Sequence, residues 1–414
     1  MVLPPSDGRN SKLKLAPIPH RPMFSRQIKT GVFFLEALNA LATTYFFYYA
    51  YFYMRDTFGF GALQNLILAA ATGFVYLIAA IFGGRFGQKH GYFLSLKIGF
   101  VIMGTSIGIG GFLHTTAGLV AVILTGTVGM CFTWPALQSI ISQHESRARL
   151  QSLTGIYNFT WAGASAFAYF IGGALLTKLG RQSMFYLPAI IHCVQFGMVC
   201  WLESKSKNAP EIPGAKSKEI STSSENFSEA PPDAKRFLKM AWLANPFAYV
   251  AVNTIIAVMP ALSQKLHLPV EWAGFLCATW LIVRAASFVF LRWWPNWHYC
   301  FPLLLGAYVT MVAGFAGILL APNLETLVGF QIIFGLALSL IYYSSLFYSM
   351  DVGEAKGDHA GFHEGMIGLG TGGGPALGAA ALYFFPNVHN VGVAAVSGLL
   401  TCGLLGLFWL RFKR

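Results

Sequence analysis

Four charged residues lie inside long apolar stretches of the sequence: the acids Glu36 and Glu364 and the bases Lys97 and Arg284. A charge near the centre of a bilayer costs at least about 2.5 to 3.5 kcal/mol on insertion scales, so such residues usually serve a function. A buried carboxyl group can bind and release a proton. A guanidinium stays charged and holds a carboxylate through two parallel hydrogen bonds. Proton exchange and carboxylate recognition are therefore the chemistries to test.

Each acid has polar neighbours. Glu36, Asn39 and Thr43 follow helical spacing, so on a helix they form one polar stripe that we expect to face water or a solute. His363 directly precedes Glu364, and an imidazole can also carry a proton. Two plainer interpretations stay open: Glu36 as an acid close to the membrane surface, and Glu364 as an acid in a wet first helical turn.

The two bases differ in depth. Arg284 lies twelve residues after Trp272, which is about 18 Å along a helix and close to the membrane midplane. Its guanidinium needs a carboxylate, which belongs either to a solute or to the protein in a fixed ion pair. Lys97 lies six residues into its apolar stretch, and its side chain is long enough to reach the headgroups.

Transmembrane helices are the elements that must position these residues. Apolar residues make up 55% of the 414 residues and charged residues only 11%, whereas a soluble domain carries about 25%. This composition excludes a soluble enzyme. A helix needs about 20 apolar residues to cross a bilayer core. Twelve stretches satisfy that length: 31–53, 62–83, 92–113, 117–141, 153–177, 184–202, 243–263, 272–291, 300–321, 326–349, 360–385 and 391–410.

The basic residues predict the orientation. If both termini are cytoplasmic, 22 of the 28 Lys and Arg lie in cytoplasmic segments and 4 in outer loops. We therefore expect a cytoplasmic tail over residues 1–30 and a flexible cytoplasmic linker over 203–240, in a protein of the cell (inner) membrane. The net charge of +12 thus reflects orientation in a membrane and does not indicate nucleic acid as a partner.

The two halves of the sequence are weakly similar. A shift of 206 residues places Gly129 on Gly335, and it also places Asn158 on Glu364. We predict an all-α membrane protein with twelve transmembrane helices in two pseudo-symmetric six-helix bundles. The bundles comprise residues 31–202 and 241–414, the second with a short basic tail.

Twelve spans, the repeat, the central linker and a basic loop after span 2 together resemble the major facilitator superfamily of secondary transporters. The motif that this family carries in the loop, G-x-x-x-D-R-x-G-R-R, corresponds here to Gly84, Arg85, Lys89 and Gly91, with Gln88 in place of the acid. The resemblance implies an inner gate at these residues. The Arg of span 4 and the Gly-Pro of span 5 that drug antiporters carry are missing.

The resemblance also implies that spans 1, 4, 7 and 10 line a cavity, in which aromatic residues would form an amphipathic pocket. The repeat adds the polar side of span 5 and its counterpart on span 11. Candidate residues for substrate binding or coupling are Glu36, Asn39, Trp134, Gln138, Asn158, Trp161, Asn253, Arg284, Tyr342, His363 and Glu364.

The expected function is secondary active transport of a small organic solute by alternating access, coupled to protons or another cation. We expect a monomer in the lipid bilayer that is not an enzyme and needs no cofactor or metal, because nucleotide-loop, triad and zinc motifs are missing and the six cysteines lack ligand spacing. The alternatives are an exporter of amphipathic or drug-like compounds and a non-transporting membrane sensor or scaffold.

The orientation can be tested with single cysteines at Ser221 and Gln264, introduced after the six native cysteines have been replaced by alanine. An impermeant thiol reagent added outside intact cells should modify only the cysteine at 264, because the linker is cytoplasmic. Modification of both positions, or of 221 alone, would contradict the orientation. Labelling after cell lysis checks that both cysteines are reactive.

Overall fold

The computed structural model describes residues 25–143, 147–207, 233–352 and 356–413. Long helices account for nearly all of this part of the chain. They are α1 (Arg26–Phe58), α2 (Ala62–His90), α3 (Tyr92–Gly110), α4 (Thr116–Ser142), α5 (Arg147–Leu179), α6 (Ser183–Lys207), α7 (Ala234–Lys265), α8 (Val270–Cys277 and Thr279–Trp293), α9 (Phe301–Leu320), α10 (Leu324–Val352), α11 (Lys356–Phe384) and α12 (Val391–Phe412).

The helices identify an integral, multi-pass membrane protein. Within the described residues, ten helices are long and apolar enough to cross a bilayer, and the two segments of α8 form one of them. Helices α1 and α11, which carry the two intramembrane acids, bring the number to twelve. Large apolar side chains such as Phe82, Phe112 and Trp293 are more than half exposed, as expected for a surface that faces lipid. The predicted fold class is confirmed.

The predicted tail and linker differ from the observed helix ends. Helix α1 already begins at Arg26, α6 continues to Lys207 and α7 starts at Ala234, so helices extend into both segments. The remainder of the tail, residues 1–24, and of the linker, residues 208–232, lies outside the described part of the chain.

Helix ends are set by local backbone chemistry. Ser25 precedes α1 and accepts a hydrogen bond from the backbone N–H of Ile28 at 3.3 Å, which satisfies one of the free donors of the first turn. Helix α1 ends at Gly59, which adopts the left-handed conformation at φ 70°. Gly91, at φ 100°, is the single residue between α2 and α3. A side chain at either glycine would strain the backbone.

Two interfaces hold the bundles together. Helices α1 to α6 pack on one another, as do α7 to α12, and between the two groups the largest contacts join α2 to α11 and α5 to α8. Positions 2 and 8, and positions 5 and 11, are equivalent in a six-helix repeat. The two interfaces are therefore related by the pseudo-symmetry that the sequence repeat predicts.

The two ends of the helix assembly are called the terminal face and the far face. The terminal face is the end at which α1 begins and α12 ends, and the far face is the opposite end. Because the chain crosses the assembly twelve times, both termini enter at the same face.

Glycine makes the α2–α11 interface possible. A Cβ atom added to Gly73 would collide with the backbone of Thr371 and Gly372, and one added to Gly368 would collide with the backbone of Leu77. Small residues let helix backbones approach closely in membranes, where dispersion contacts drive helix association. Gly368 and Gly372 of the glycine-rich stretch of α11 thus pack against α2, whereas Gly370 and Gly374 pack against Pro246 and Val250 of α7.

Substitution of Gly73 by alanine should therefore loosen the two bundles. We expect Gly73→Ala to lower stability by about 1 to 3 kcal/mol, the usual cost of overpacking, and to lower the apparent melting temperature in detergent. Gly373→Ala is the matched control, because a Cβ there meets open space and alanine favours a helix. Equal melting temperatures for both variants would contradict the packing role of Gly73.

Candidate functional site

A cavity of about 120 Å³ lies between the two bundles. Helices α1, α2, α4 and α5 line it from one bundle, and α7, α8 and α11 from the other. The lining residues are Thr43, Thr44, Phe47, Tyr48, Tyr51, Thr72, Tyr76, Met130, Trp134, Trp161, Ser165, Tyr249, Val252, Asn253, Ile256, Arg284, Ile367 and Thr371. The cavity therefore belongs to neither bundle alone.

Arg284 is the one cationic side chain among these lining residues. It is only 3% exposed. Its guanidinium carbon lies 4.8 Å from the ring centroid of Trp161, 4.8 Å from that of Tyr342 and 5.6 Å from that of Phe288. Rings from both bundles thus surround the cation, and each contributes a favourable cation–π interaction.

The buried guanidinium has no acidic partner among the described residues. The described ion pairs involve other side chains, and Nε of Arg284 makes no hydrogen bond. A fixed ion pair was the structural alternative for this residue, and the described part of the chain supplies no carboxylate for it. A charged donor in a water-poor cavity is best satisfied by an anionic acceptor.

Glu364 joins the two bundles near the cavity. It is 1% exposed on α11 and accepts hydrogen bonds from the hydroxyl of Tyr76 on α2 and from Nε2 of Gln138 on α4, the latter at 2.7 Å. Both donors belong to the other bundle. The carboxyl group is therefore part of the contact that holds the bundles together, in addition to being an intramembrane acid.

Glu36 belongs to the same polar cluster. It is 1% exposed on α1, the hydroxyl of Tyr157 interacts with its carboxyl group, and its Oε2 atom makes no hydrogen bond among the described residues. Glu36 and Glu364 are near enough for their negative charges to repel each other. This repulsion disfavours ionisation of both acids at once.

Tyr342 connects the cation to the acidic cluster. Its ring faces the Arg284 guanidinium on one side and lies 6.0 Å from the ring of His363 on the other, measured between centroids. His363 is 8% exposed, and its Nε2 atom has no partner in the described structure. The tertiary structure thus places the predicted carboxylate site beside the predicted proton site, although Tyr342 itself does not line the cavity.

Several predicted residues face protein instead of the cavity. Asn39 is fully buried and donates to Thr133 at 3.3 Å, so the polar stripe of α1 points into its own bundle except at Thr43. Asn158 is also fully buried and accepts from Nε1 of Trp161 at 3.3 Å. In this arrangement neither amide lines the cavity.

The remaining predicted cavity residues lie where a solute can reach them. Trp134 and Trp161 both line the cavity, and Nε1 of Trp134 makes no hydrogen bond among the described residues. Asn253 also lines the cavity, but its amide donates to Thr371 at 3.1 Å. Lys97 lies elsewhere, paired with Glu203 of α6 instead of reaching for headgroups.

The predicted inner-gate loop is helical. Helix α2 includes Gly84, Arg85 and Lys89 and ends at His90, so only Gly91 remains outside the helices. Arg85 and Lys89 are exposed at the terminal face and make no ion pair with a described residue. With Gln88 in place of an acid, the described contacts of this segment include no charge relay.

Sequence inspection missed the tyrosines that complete the site. Tyr76 binds Glu364, while Tyr48 and Tyr249 line the cavity beside Arg284. One signal was available: Thr72 and Tyr76 are polar residues at helical spacing within the apolar stretch of α2. Tyr48 and Tyr249 lie among other aromatic residues, and nothing in the sequence separates them from lipid-facing ones.

Hydrogen bonds join the two bundles at both faces. At the far face, Arg55 of α1 donates to the carbonyl of Pro260 at 2.7 Å and to the hydroxyl of Ser263 at 3.2 Å, both on α7. At the terminal face, Arg292 of α8 donates to Ser152 of α5 at 2.9 Å. The Glu364 cluster closes the α2–α11 side.

The comparisons with known proteins agree with this architecture. The model of the Major Facilitator Superfamily matches residues 32–375. No curated protein shows significant sequence similarity to the chain. Three similar solved structures are a bacterial homolog of the human lysosomal transporter Spinster, inward-facing and unoccupied, the nucleoside transporter NupG, and the human organic anion transporter MFSD10 (TETRAN).

The structural similarity covers nearly the whole chain at low sequence identity. The Spinster homolog is 13% identical with a TM-score of 0.64, covering 93% of this chain and 95% of its own. NupG is 14% identical with a TM-score of 0.66, covering 94% and 100%. MFSD10 is 14% identical with a TM-score of 0.63, covering 94% and 99%. At such identities the likeness establishes the fold alone.

Twelve helices in two bundles around a closed cavity define a membrane transporter and not an enzyme. The chain belongs to the major facilitator superfamily.

Proposed function

We propose that the protein is a proton-coupled secondary transporter of a small organic solute that carries a carboxylate. The observation that carries the proposal is the buried Arg284, enclosed by aromatic rings and without a described acidic partner. A charge kept in such a place costs free energy unless a ligand compensates it. A solute carboxylate supplies the missing acceptors and neutralises the charge.

Alternating access fits the interface geometry. The cavity lies between the bundles, and each face is closed by a few hydrogen bonds that a small rotation of one bundle would break: Arg55 with α7 at the far face, and Arg292 with Ser152 at the terminal face. The extensive α2–α11 and α5–α8 contacts supply the surfaces on which the bundles rock. With the predicted orientation, the terminal face is cytoplasmic.

Proton coupling rests on the acidic cluster. A deprotonated Glu364 accepts hydrogen bonds from both Tyr76 and Gln138, whereas protonation turns one oxygen into a donor and weakens that set. Glu36 is the second acid that can share the proton, and His363 is an alternative carrier. Because the cluster spans both bundles, a change of its charge alters the free energy of closing the terminal side.

The two alternative functions, export of amphipathic compounds and a sensor or scaffold role without transport, have less support. Among the similar structures, the organic anion transporter fits the cationic cavity, but the likeness extends to the fold only. An exporter of amphipathic compounds would use the aromatic lining, yet the buried cation selects for charge. A sensor or scaffold without transport would not need a cavity that can open to both faces.

Arg284→Lys should impair solute binding nearly as much as Arg284→Ala, because a compact ammonium cannot make a two-pronged contact. A thermal-shift screen of the wild-type protein against a library of organic acids would first identify ligands, since a ligand bound only by the native state raises the melting temperature. Uptake and binding of those ligands are then compared among the variants.

Arg181→Lys is the matched control, since Arg181 is exposed in the loop between α5 and α6. Binding by Arg284→Lys that equals wild type would contradict carboxylate recognition. If both Arg284 variants lose the folded monomer in gel filtration, the arginine has a structural role and the proposal fails in this form.

Replacement of the acids should uncouple transport from the proton gradient. In liposomes, Glu36→Gln or Glu364→Gln should abolish uphill uptake driven by an imposed pH difference while downhill exchange of solute persists, because glutamine keeps the shape but binds no proton. Glu325→Gln, an exposed acid at the start of α10, is the control. If both variants and His363→Gln retain pH-driven accumulation, sodium coupling or facilitated diffusion replaces the proposal.

A further inference from the structure

The donors and acceptors that line the cavity indicate which solutes it can hold. Among the lining residues, Thr44 and Ser165 are hydrogen-bonded to each other at 2.9 Å, and Asn253 donates to Thr371 at 3.1 Å. These four polar side chains are therefore engaged with one another. A solute with several hydroxyl groups would find only the hydrogen-bonding capacity that these pairs leave free.

Two threonine hydroxyls of the lining are also engaged. Thr43 donates to the backbone carbonyl of Asn39 at 2.6 Å, and Thr72 donates to that of Leu68 at 2.8 Å. The indole N–H of Trp134 has no partner in the described structure, and Tyr48, Tyr51 and Tyr249 add phenol groups to the lining. The binding surface is thus one cationic donor in a largely aromatic wall with a few weaker polar groups.

The rings restrict the direction from which a ligand reaches Arg284. Trp161 and Tyr342 each lie 4.8 Å from the guanidinium carbon, and the side chain of Tyr249 also interacts with the guanidinium. Nε has no partner in the described structure, and a planar carboxylate can bind a guanidinium through two parallel hydrogen bonds. No second cationic side chain lines the cavity in the described structure, so a second carboxylate would find no partner.

The cavity is small. An apolar cavity of about 150 Å³ holds one benzene molecule, and this cavity measures about 120 Å³. A body of one six-membered ring or a similar branched chain is therefore the upper limit, and two fused rings would keep the bundles apart.

We infer that the cavity selects a small monocarboxylate with a compact apolar or aromatic body, and that it rejects dicarboxylates, sugars and nucleosides. This inference rests on the proposed role of Arg284 as the carboxylate-binding group. It extends that role by assigning charge, size and polarity to the solute. The hydrogen bonds among the lining side chains, more than the fold, distinguish this cavity from one that binds a nucleoside.

Isothermal titration of the purified full-length protein with five probes tests the inference. Benzoate should bind, whereas benzamide, which has the same shape without the charge, should bind at least about tenfold more weakly because the guanidinium stays unpaired. Terephthalate, 2-naphthoate and uridine should also bind at least about tenfold more weakly, for reasons of charge, size and polarity respectively.

A cavity-filling variant supplies an independent measurement. Val252→Phe adds a ring to the wall of the cavity and should weaken benzoate binding at least about tenfold. Val309→Phe is the matched control, because Val309 is 47% exposed on the lipid-facing side of α9. If Val252→Phe does not fold, the ligand series on the wild-type protein decides alone.

The outcomes separate this inference from the proposed function. Binding of uridine or 2-naphthoate as tight as that of benzoate overturns the inference. Failure of benzoate to bind, with Arg284-dependent binding of a larger or dicarboxylic acid, also overturns it but leaves the proposed function standing. If no carboxylate binds and Arg284→Lys changes nothing, both fail.

Discussion

The central constraint on this protein is a positive charge held inside a membrane-embedded cavity. Arg284 is buried between the bundles, and no described carboxylate neutralises it. Rings from both bundles face the guanidinium and offset part of the cost, because cation–π interactions are strongest where water is excluded. A ligand carboxylate can offset the remaining free-energy cost of burying the charge. The carboxylate recognition that we propose rests on this cation without a described acidic partner.

The acidic cluster gives the closed arrangement a second charged contact. Glu364 accepts hydrogen bonds from Tyr76 and Gln138 across the interface, and Glu36 lies near enough to repel it. A proton in this cluster therefore changes the interaction between the bundles as well as the local charge. Tyr342 stands between the cluster and the Arg284 site, so a solute and a proton would act on adjacent parts of one interface. This adjacency is the physical basis of the coupling that we propose.

Glycine residues stabilise the interface between the bundles through close packing, and not through charge. The α2–α11 interface is close because Gly73 and Gly368 allow backbone contact between the two helices. The charged groups are placed at a few points on that surface. Membrane helices gain little from the hydrophobic effect against one another, so packing and these few polar contacts determine which arrangement is stable.

The sequence by itself determined the helices and their number, because apolar runs of bilayer length and sparse charge leave few other solutions. The family was indicated by a resemblance in span count, internal repeat, central linker and the loop after span 2. It also singled out Glu36, Arg284 and Glu364, since a charge in such a run is costly wherever it lies. Only the tertiary structure decided which of the polar residues share a site. Asn39 and Asn158 turned into their own bundle, while Tyr76 reached Glu364 across the interface. These contacts join residues up to 288 positions apart, and helical periodicity carries no information on how two helices are rotated against each other.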